Sequence, residues 1–215
     1  REHIFVTGSP MREIIQAHED KIQRSTVLQD LGLEEKGYIV LSSHREENID
    51  DAQNFASLMG AINTMAQTYS MPVIYSVHPR SARLIEQRQF QFHPLVRQLP
   101  PFGFTDYSSL RRAYCVVSDS GTMPEEAAVS GFPGVCIRTS TERPEAFDKG
   151  CCILGGITGE SVLQSVDMAV ELAQHGDFGA SVPDYQTEHV SSIVLRLIQS
   201  YTPVINDKVW RKTKR

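Results

Sequence analysis

Short apolar runs recur along this chain, and helical patterns separate them. Ile4-Phe5-Val6, Tyr38 to Leu41, Pro72 to Val77, Val96 to Leu99, Cys115-Val116-Val117, Val135-Cys136-Ile137 and Cys151 to Leu154 each read as a strand. Most are apolar at nearly every position rather than at every second one. A strand of that kind is buried on both faces, which happens when parallel strands are covered by helices on either side. The intervening segments supply such helices. Ala52, Phe55, Leu58, Met59, Ile62 and Met65 follow a 3-4 spacing that buries one face. Further helices are expected over 11–31, closed by Gly32, and near 106–113, 123–130, 144–149, 160–174 and 187–199. The fold class is therefore α/β, a Rossmann-like, doubly wound parallel sheet.

Length and charge narrow the partners. With 215 residues, the chain is one large domain or one domain with appendages. We assign 1–200 to the domain and 201–215 to a basic C-terminal tail, where Lys208, Arg211, Lys212, Lys214 and Arg215 crowd a solvated, partly frayed end. The 21 Lys+Arg against 26 Asp+Glu give a net charge of −5, the wrong sign for a nucleic-acid binder. No apolar run approaches the roughly 18 residues that span a membrane, so neither nucleic acid nor membrane is an expected partner. The chain opens at Arg1, with no Met and no signal peptide, and reads as a piece of something longer. Cys115, Cys136, Cys151 and Cys152 lie in apolar runs without zinc or CxxC spacing. Buried, reduced thiols of a cytoplasmic protein are expected, with Cys151 and Cys152 on opposite sides of their strand.

Ligands of open α/β sheets sit beyond the carboxyl ends of the strands. There this chain places Ser42 to Asn48, His78-Pro79-Arg80, Ser118 to Thr122, and Arg138 to Glu145. Cationic and hydroxyl groups gather at these ends in a chain whose net charge is negative. A local positive pocket suited to a diphosphate is the expectation. Asp119-Ser120-Gly121-Thr122 is the most informative stretch, because it leads from a buried strand into a helix beginning near Met123-Pro124. Free N–H groups of a first helical turn form an anion site, Gly121 lets backbone approach a phosphate, and Ser120 and Thr122 supply hydroxyls. Glu126, one turn in, suits a pair of ribose hydroxyls. The same residues also fit an ordinary capped helix start, with Ser120 or Thr122 as cap and Glu125 or Glu126 as its capping-box partner. His44 and His78 likewise fit satisfied structural histidines, and Arg143 and Glu145 an exposed ion pair. Their shared placement on one sheet edge favours a site.

Ser43-His44-Arg45-Glu46-Glu47-Asn48, Val77-His78-Pro79, Asp119-Ser120-Gly121 with Glu125-Glu126, and Thr141-Glu142-Arg143-Pro144-Glu145 occur in this order. Together they resemble the non-hydrolysing UDP-N-acetylglucosamine 2-epimerases, over essentially the whole chain. The resemblance implies the C-terminal half of a two-domain, glycosyltransferase-B-like (GT-B) fold of roughly twice this length, with the active site between two Rossmann-like domains. It implies that His44 contacts the substrate phosphates and serves catalysis there. Ser120, Gly121 and Thr122 hold the diphosphate, Glu126 takes the ribose, and Arg143 lines the UDP site. Phe102 and Tyr107 fall near the uracil-binding stretch. Arg45 and His78 match a second, regulatory UDP-N-acetylglucosamine site.

The implied reaction is elimination of UDP and its re-addition, converting UDP-N-acetylglucosamine to UDP-N-acetylmannosamine. It requires no cofactor and no metal. The proton-transferring carboxylates belong to the other domain, so this half alone is expected to be inactive, and the whole enzyme is expected to be a cytoplasmic homodimer. Ser120-Gly121-Thr122 departs from the Ser-Gly-Gly of many members. Thr7 to Met11 and Pro101 to Tyr107 look more like a relative that makes UDP-N-acetyl-L-fucosamine from the 2,6-dideoxy-L-talose sugar nucleotide. The nucleotide domain of a UDP-sugar glycosyltransferase shares the fold and phosphate loop. It leaves His44-Arg45-Glu46 together with Glu142 to Glu145 unexplained. A non-catalytic sugar-phosphate-binding module is the third reading.

Overall fold

Alternate residues of each central strand face opposite ways, and the core divides accordingly. In the computed structural model, which describes residues 3–212, Ile39, Leu41, Val73, Tyr75, Cys115, Val117, Val135 and Ile137 pack on one face of a sheet. Tyr38, Val40, Ile74, Val116 and Cys136 pack on the other. The sheet has six strands: β1 (Ile39–Ser43), β2 (Val73–Val77), β3 (Val96–Leu99), β4 (Cys115–Ser118), β5 (Gly134–Cys136) and β6 (Ile153–Leu154). All pair in parallel, in the order β3-β2-β1-β4-β5-β6. The first face is covered by α4 (Ala52–Tyr69) and α9 (Gly159–Gln174). The second is covered by α2 (Val27–Asp30), α6 (Phe104–Leu110) and α7 (Met123–Ser130). The doubly wound α/β expectation holds.

Three departures have local causes. Ile4-Phe5-Val6 forms no strand; these residues are exposed coil, and the Phe5 ring meets Tyr201 edge-on at 4.4 Å. The segment after them is held instead by the Ser9 N–H, which donates to the Asp184 carbonyl at 2.9 Å, so it runs across the domain rather than along a sheet edge. The single helix expected over 11–31 is two helices, α1 (Met11–Gln23) and α2, with the break at Ser25. There the Ser25 hydroxyl accepts from the Val27 N–H at 3.3 Å and donates to Asp106 at 2.7 Å, which draws the backbone out of the helical ladder. Short helices α3 (Glu46–Ile49) and α5 (Pro79–Gln87) follow β1 and β2, where none is expected. The remaining helices are α8 (Pro144–Asp148) and α10 (Val190–Val204), the latter continued by a wider π turn over Ile205–Val209. Lys208, Arg211 and Lys212 are exposed; Lys214 and Arg215 lie outside the described residues.

All four cysteines are free and buried. Cys151 and Cys152 enter different packing clusters just before β6. Burial pushes the Cys136 thiol up to about 11.

Candidate active site at the β1–β4 switch point

The strand order reverses between β1 and β4: the chain winds outward from β1 through β2 to β3, then returns to β4 and winds the other way. The connections after β1 and β4 leave on opposite faces of the sheet, to α4 and α7, and a crevice opens between them. Ser42 and Ser118 are register partners across this junction. Their hydroxyls lie 2.6 Å apart, and Ser42 also meets the Tyr107 hydroxyl at 3.1 Å.

Asp119, the first residue past β4, is fully buried and organises the junction. Its carboxylate accepts from the Ser43 hydroxyl (2.9 Å), the His44 and Arg45 N–H groups (each 2.9 Å), and the Asn48 amide (3.2 Å). The His44 ring donates from Nδ1 to the other carboxylate oxygen at 3.1 Å. Burial pushes the Asp119 carboxyl up, but the bond from His44 and those from Arg45 and Ser43 outweigh it and hold the group below its ordinary value. The same bond raises His44 above its ordinary 6.5, against the opposing pull of burial. The carboxylate fixes the tautomer and leaves Nε2 free on a ring that is 43% exposed.

Next to this hub is a cavity of about 190 Å³, whose lining includes Ser42, His44, His78, Tyr107, Ser120 and Glu126. Helix α7 begins at its wall. Thr122 is the N-cap residue but caps nothing with its side chain. Its hydroxyl instead meets Ser120 Oγ at 3.1 Å and donates to Glu126 Oε1 at 2.9 Å. The capping-box alternative is therefore not what the residues do. Burial pushes Glu126 above the usual carboxylate range, while Arg111 and the Thr122 bond pull it down.

Five of the expected site residues meet here: His44, His78, Tyr107, Ser120 and Glu126 line one cavity. The centroids of the His44 and His78 rings are 6.1 Å apart on the wall of this cavity. Gly121 and Thr122 form the turn behind Ser120. Phe102 packs into the core beside α6, and its neighbour Pro101 reaches the cavity instead. Arg143 turns away to pair with Glu125, which also accepts from Ser9.

The free positive pocket expected from the strand ends is not what forms. Each guanidinium there finds a carboxylate: Arg45 with Glu142 at 2.9 Å, Arg138 with Glu142 at 2.7 Å and Glu47 at 3.0 Å, and Arg80 with Glu46 and Asp50. Glu142 thus bridges two arginines in front of Gly121, where a Cβ would come within 2.9 Å of Arg45 Nη2 and 3.1 Å of the Glu142 carboxylate. Reasoning from sequence puts Ser42, Ser118, Asp119 and Arg138 at the strand ends but gives none of them a role of its own, and it leaves out Arg111. The available signal is a carboxylate directly after an apolar strand, and its meaning depends on which strand lies next to it.

Among the described residues, no group of three or more His, Cys, Asp or Glu is arranged to hold a metal ion, and no helix is long and apolar enough to cross a membrane.

Known proteins share this fold. A structure of UDP-N-acetylglucosamine 2-epimerase from Rickettsia bellii superposes with a TM-score of 0.84 at 35% identity, covering 96% of this chain and 56% of that one. The Methanocaldococcus jannaschii UDP-GlcNAc 2-epimerase, solved in complex with UDP-GlcNAc and UDP, gives a TM-score of 0.81 at 21% identity over 93% of this chain and 55% of that one, a likeness of fold. The UDP-N-acetylglucosamine 2-epimerase of Methanococcus maripaludis is 29% identical over 143 residues, which is 64% of this chain and 39% of the relative. This chain spans about half the length of the relatives it matches. The family model described as UDP-N-acetylglucosamine 2-epimerase matches residues 1–199, and the chain belongs to that family.

Proposed function

We propose that this chain is the UDP-holding half of a cytoplasmic sugar-nucleotide 2-epimerase that interconverts UDP-N-acetylglucosamine and UDP-N-acetylmannosamine. We take 1–200 as the nucleotide domain and 201–215 as its tail, with α10 running across that boundary to Val204. The observation that carries the reading is the Asp119–His44 hub. A buried carboxylate holds a proton-bearing imidazole at the switch point of a Rossmann-like sheet, beside the hydroxyls of Ser42 and Ser120 and the start of α7.

That arrangement suits a leaving diphosphate. In the reaction, a base removes the C2 proton of the sugar while the C1–O bond breaks, giving a 2-acetamidoglucal and UDP. UDP oxygen then re-forms the bond to C1 as a proton returns to the other face of C2. Negative charge develops on the departing diphosphate, and preorganised donors aimed at it are where catalysis gains most. His44, whose proton affinity the Asp119 bond raises, and the Ser120–Thr122 turn supply such donors. Arg45 and Arg138 become available to phosphate oxygens when the diphosphate displaces Glu142. We read His78, on the cavity wall, and Arg45, beside Gly121, as the pair that would also meet the regulatory nucleotide that the resemblance suggests, with Arg45 shared between the two nucleotides. Glu126 faces the ribose, and Tyr107 stands at the base end.

The cavity, at about 190 Å³, is smaller than the roughly 300–1,000 Å³ of ordinary ligand sites. A second domain closing over it would complete the walls and bring the carboxylates that move the C2 proton. The full-length enzyme is read as a homodimer, and the four buried free thiols suit a reducing compartment.

Incubating full-length enzyme with UDP-N-acetylglucosamine in deuterated water tests the reaction. Deuterium at C2 and appearance of the manno epimer are expected. Exchange with neither this substrate nor the 2,6-dideoxy-L-talose analogue would overturn the epimerase reading, and exchange with the analogue alone would reassign the sugar.

A further inference from the structure

Two consecutive arginines follow α6, and they behave differently. Both reach back to the end of that helix: Arg111 Nε donates to the Ser108 carbonyl and Arg112 Nε to the Ser109 carbonyl, each at 3.3 Å. Such bonds satisfy carbonyls that a helix end leaves open. Arg112 then continues to the surface, where it pairs with the exposed Glu35 at 2.8 Å. Arg111 is only 5% exposed in its side chain and runs inward to Glu126, itself 13% exposed, with Nη1 donating to Oε2 at 3.2 Å. The Phe132 ring lies 5.5 Å from the Arg111 guanidinium carbon and backs it on another side.

The Glu126 carboxylate is therefore pinned through both oxygens. Thr122 donates to one and Arg111 to the other. A carboxylate has about four lone-pair sites, so one on each oxygen stays open, and the residue lines the cavity. Two adjacent acceptor sites at fixed spacing match two neighbouring hydroxyls. An unpinned glutamate would have to lose rotamer freedom on binding. A buried carboxylate left without Arg111 would also have a strong reason to take up a proton or turn toward solvent.

We propose that Arg111 is a positioning residue for ribose recognition: its ion pair with Glu126 holds that carboxylate in the orientation that accepts the two ribose hydroxyls of a nucleoside diphosphate. This rests on the reading of Glu126 as the ribose acceptor. Arg111 touches no ligand in this account and acts through Glu126.

Calorimetric titration with UDP and with 2′-deoxy-UDP tests it on the wild-type chain and on Arg111→Met, Arg111→Lys, Arg112→Met, Glu126→Gln and the Arg111→Met/Glu126→Gln double variant. The wild type is expected to prefer UDP. Arg111→Met should weaken UDP about tenfold, the scale of a charge-assisted bond, with far less effect on 2′-deoxy-UDP. It should cost nothing further in the Glu126→Gln background, and Arg112→Met should match wild type. Arg111→Lys keeps the charge without the fork that spans Ser108 and Glu126. It should shrink the preference by a smaller factor, and it is the variant to read if Arg111→Met does not fold. Equal weakening of both nucleotides, an unchanged preference, or full additivity with Glu126→Gln would overturn the proposal. If Glu126→Gln abolishes the preference while the Arg111 variants keep it, only the role of Arg111 fails. If wild type and Glu126→Gln bind both nucleotides alike, the reading of Glu126 fails first.

Discussion

The two ends of this sheet open in different ways. At the amino ends of β4 and β5, a cavity of about 900 Å³ lies among α1, α7 and α9, with Ile15, Ile22, Phe132, Lys36 and Gln16 in its walls. At the carboxyl ends of β1 and β4, the opening is about 190 Å³. Size alone selects the amino end. The chemistry selects the other. A fully buried carboxylate that accepts from two backbone N–H groups and three side chains occurs at the carboxyl end. Charges around the large cavity include Arg112 and Glu35, which pair at the surface, and Arg111, whose buried guanidinium runs to Glu126 at the carboxyl end. The contrast teaches that volume reflects how loosely helices cover a sheet. A site is marked by polar groups that have been brought out of water and held there, at a cost that folding must offset.

The largest effect that this contrast predicts is on stability. Asp119→Ala leaves the donors of Ser43, His44, Arg45 and Asn48 without their acceptor and should cost about 3–5 kcal/mol, measured by chemical denaturation. A loss under about 1 kcal/mol would show that the carboxyl end is not organised around this residue. Next in size is nucleotide binding. Glu126→Ala should lower UDP affinity about 10- to 100-fold, or about 1.4–2.8 kcal/mol, and Ser120→Ala about 5-fold, or about 1 kcal/mol, by calorimetry.

A smaller effect depends on pH. The folded pKa of His44 is raised above 6.5, so its contribution to stability is fully present below that value and is lost as pH rises through the folded pKa. Asp119 is lowered below 3.8, so its contribution is present above 3.8 and is lost as pH falls through its folded value. The pair is therefore strongest between these limits. His44→Gln should destabilise the protein more at about pH 6 than at about pH 8.5, by under about 1 kcal/mol because the ring is half-exposed. Equal losses at both values would remove the charged pair from the account. The smallest effect is expected at the amino end: Lys36→Ala and Gln16→Ala should leave UDP affinity within about 0.5 kcal/mol of wild type, as surface changes far from a site do.

Much of the architecture is legible in the sequence because it rests on period. Continuous apolar runs mark β1, β2 and β4, and Pro124 with Gly131 brackets α7 at 123–130. Ile4-Phe5-Val6 misleads because three apolar residues have the same pattern in a crossing segment as in a strand. Helix α5 escapes because it buries only Ser81 and Ile85. The site divides in a similar way. Ser120 and Glu126 are visible as neighbours on a strand-to-helix turn. Asp119 gains its meaning from Ser43 and His44, more than seventy positions away and adjacent only because β1 pairs with β4. Arginines at the strand ends look free until the fold gives each a carboxylate. Arg111 falls inside a stretch, 106–113, that reads as helix; the helix ends at Leu110, and that early end sends Arg111 inward and Arg112 outward.

The central claim is that the carboxyl end of β1 and β4, not the larger opening at the amino end, holds the nucleotide diphosphate. Backbone amide NMR of the isotopically labelled chain titrated with UDP tests it most directly, because both ends are observed in one experiment. The account predicts that the amides of His44, Arg45, Ser120, Gly121 and Thr122 shift while those of Lys36, Phe132 and Phe178 stay in place. Shifts gathered at Lys36, Phe132 and Phe178, with the His44 and Ser120–Thr122 amides unmoved, would contradict it.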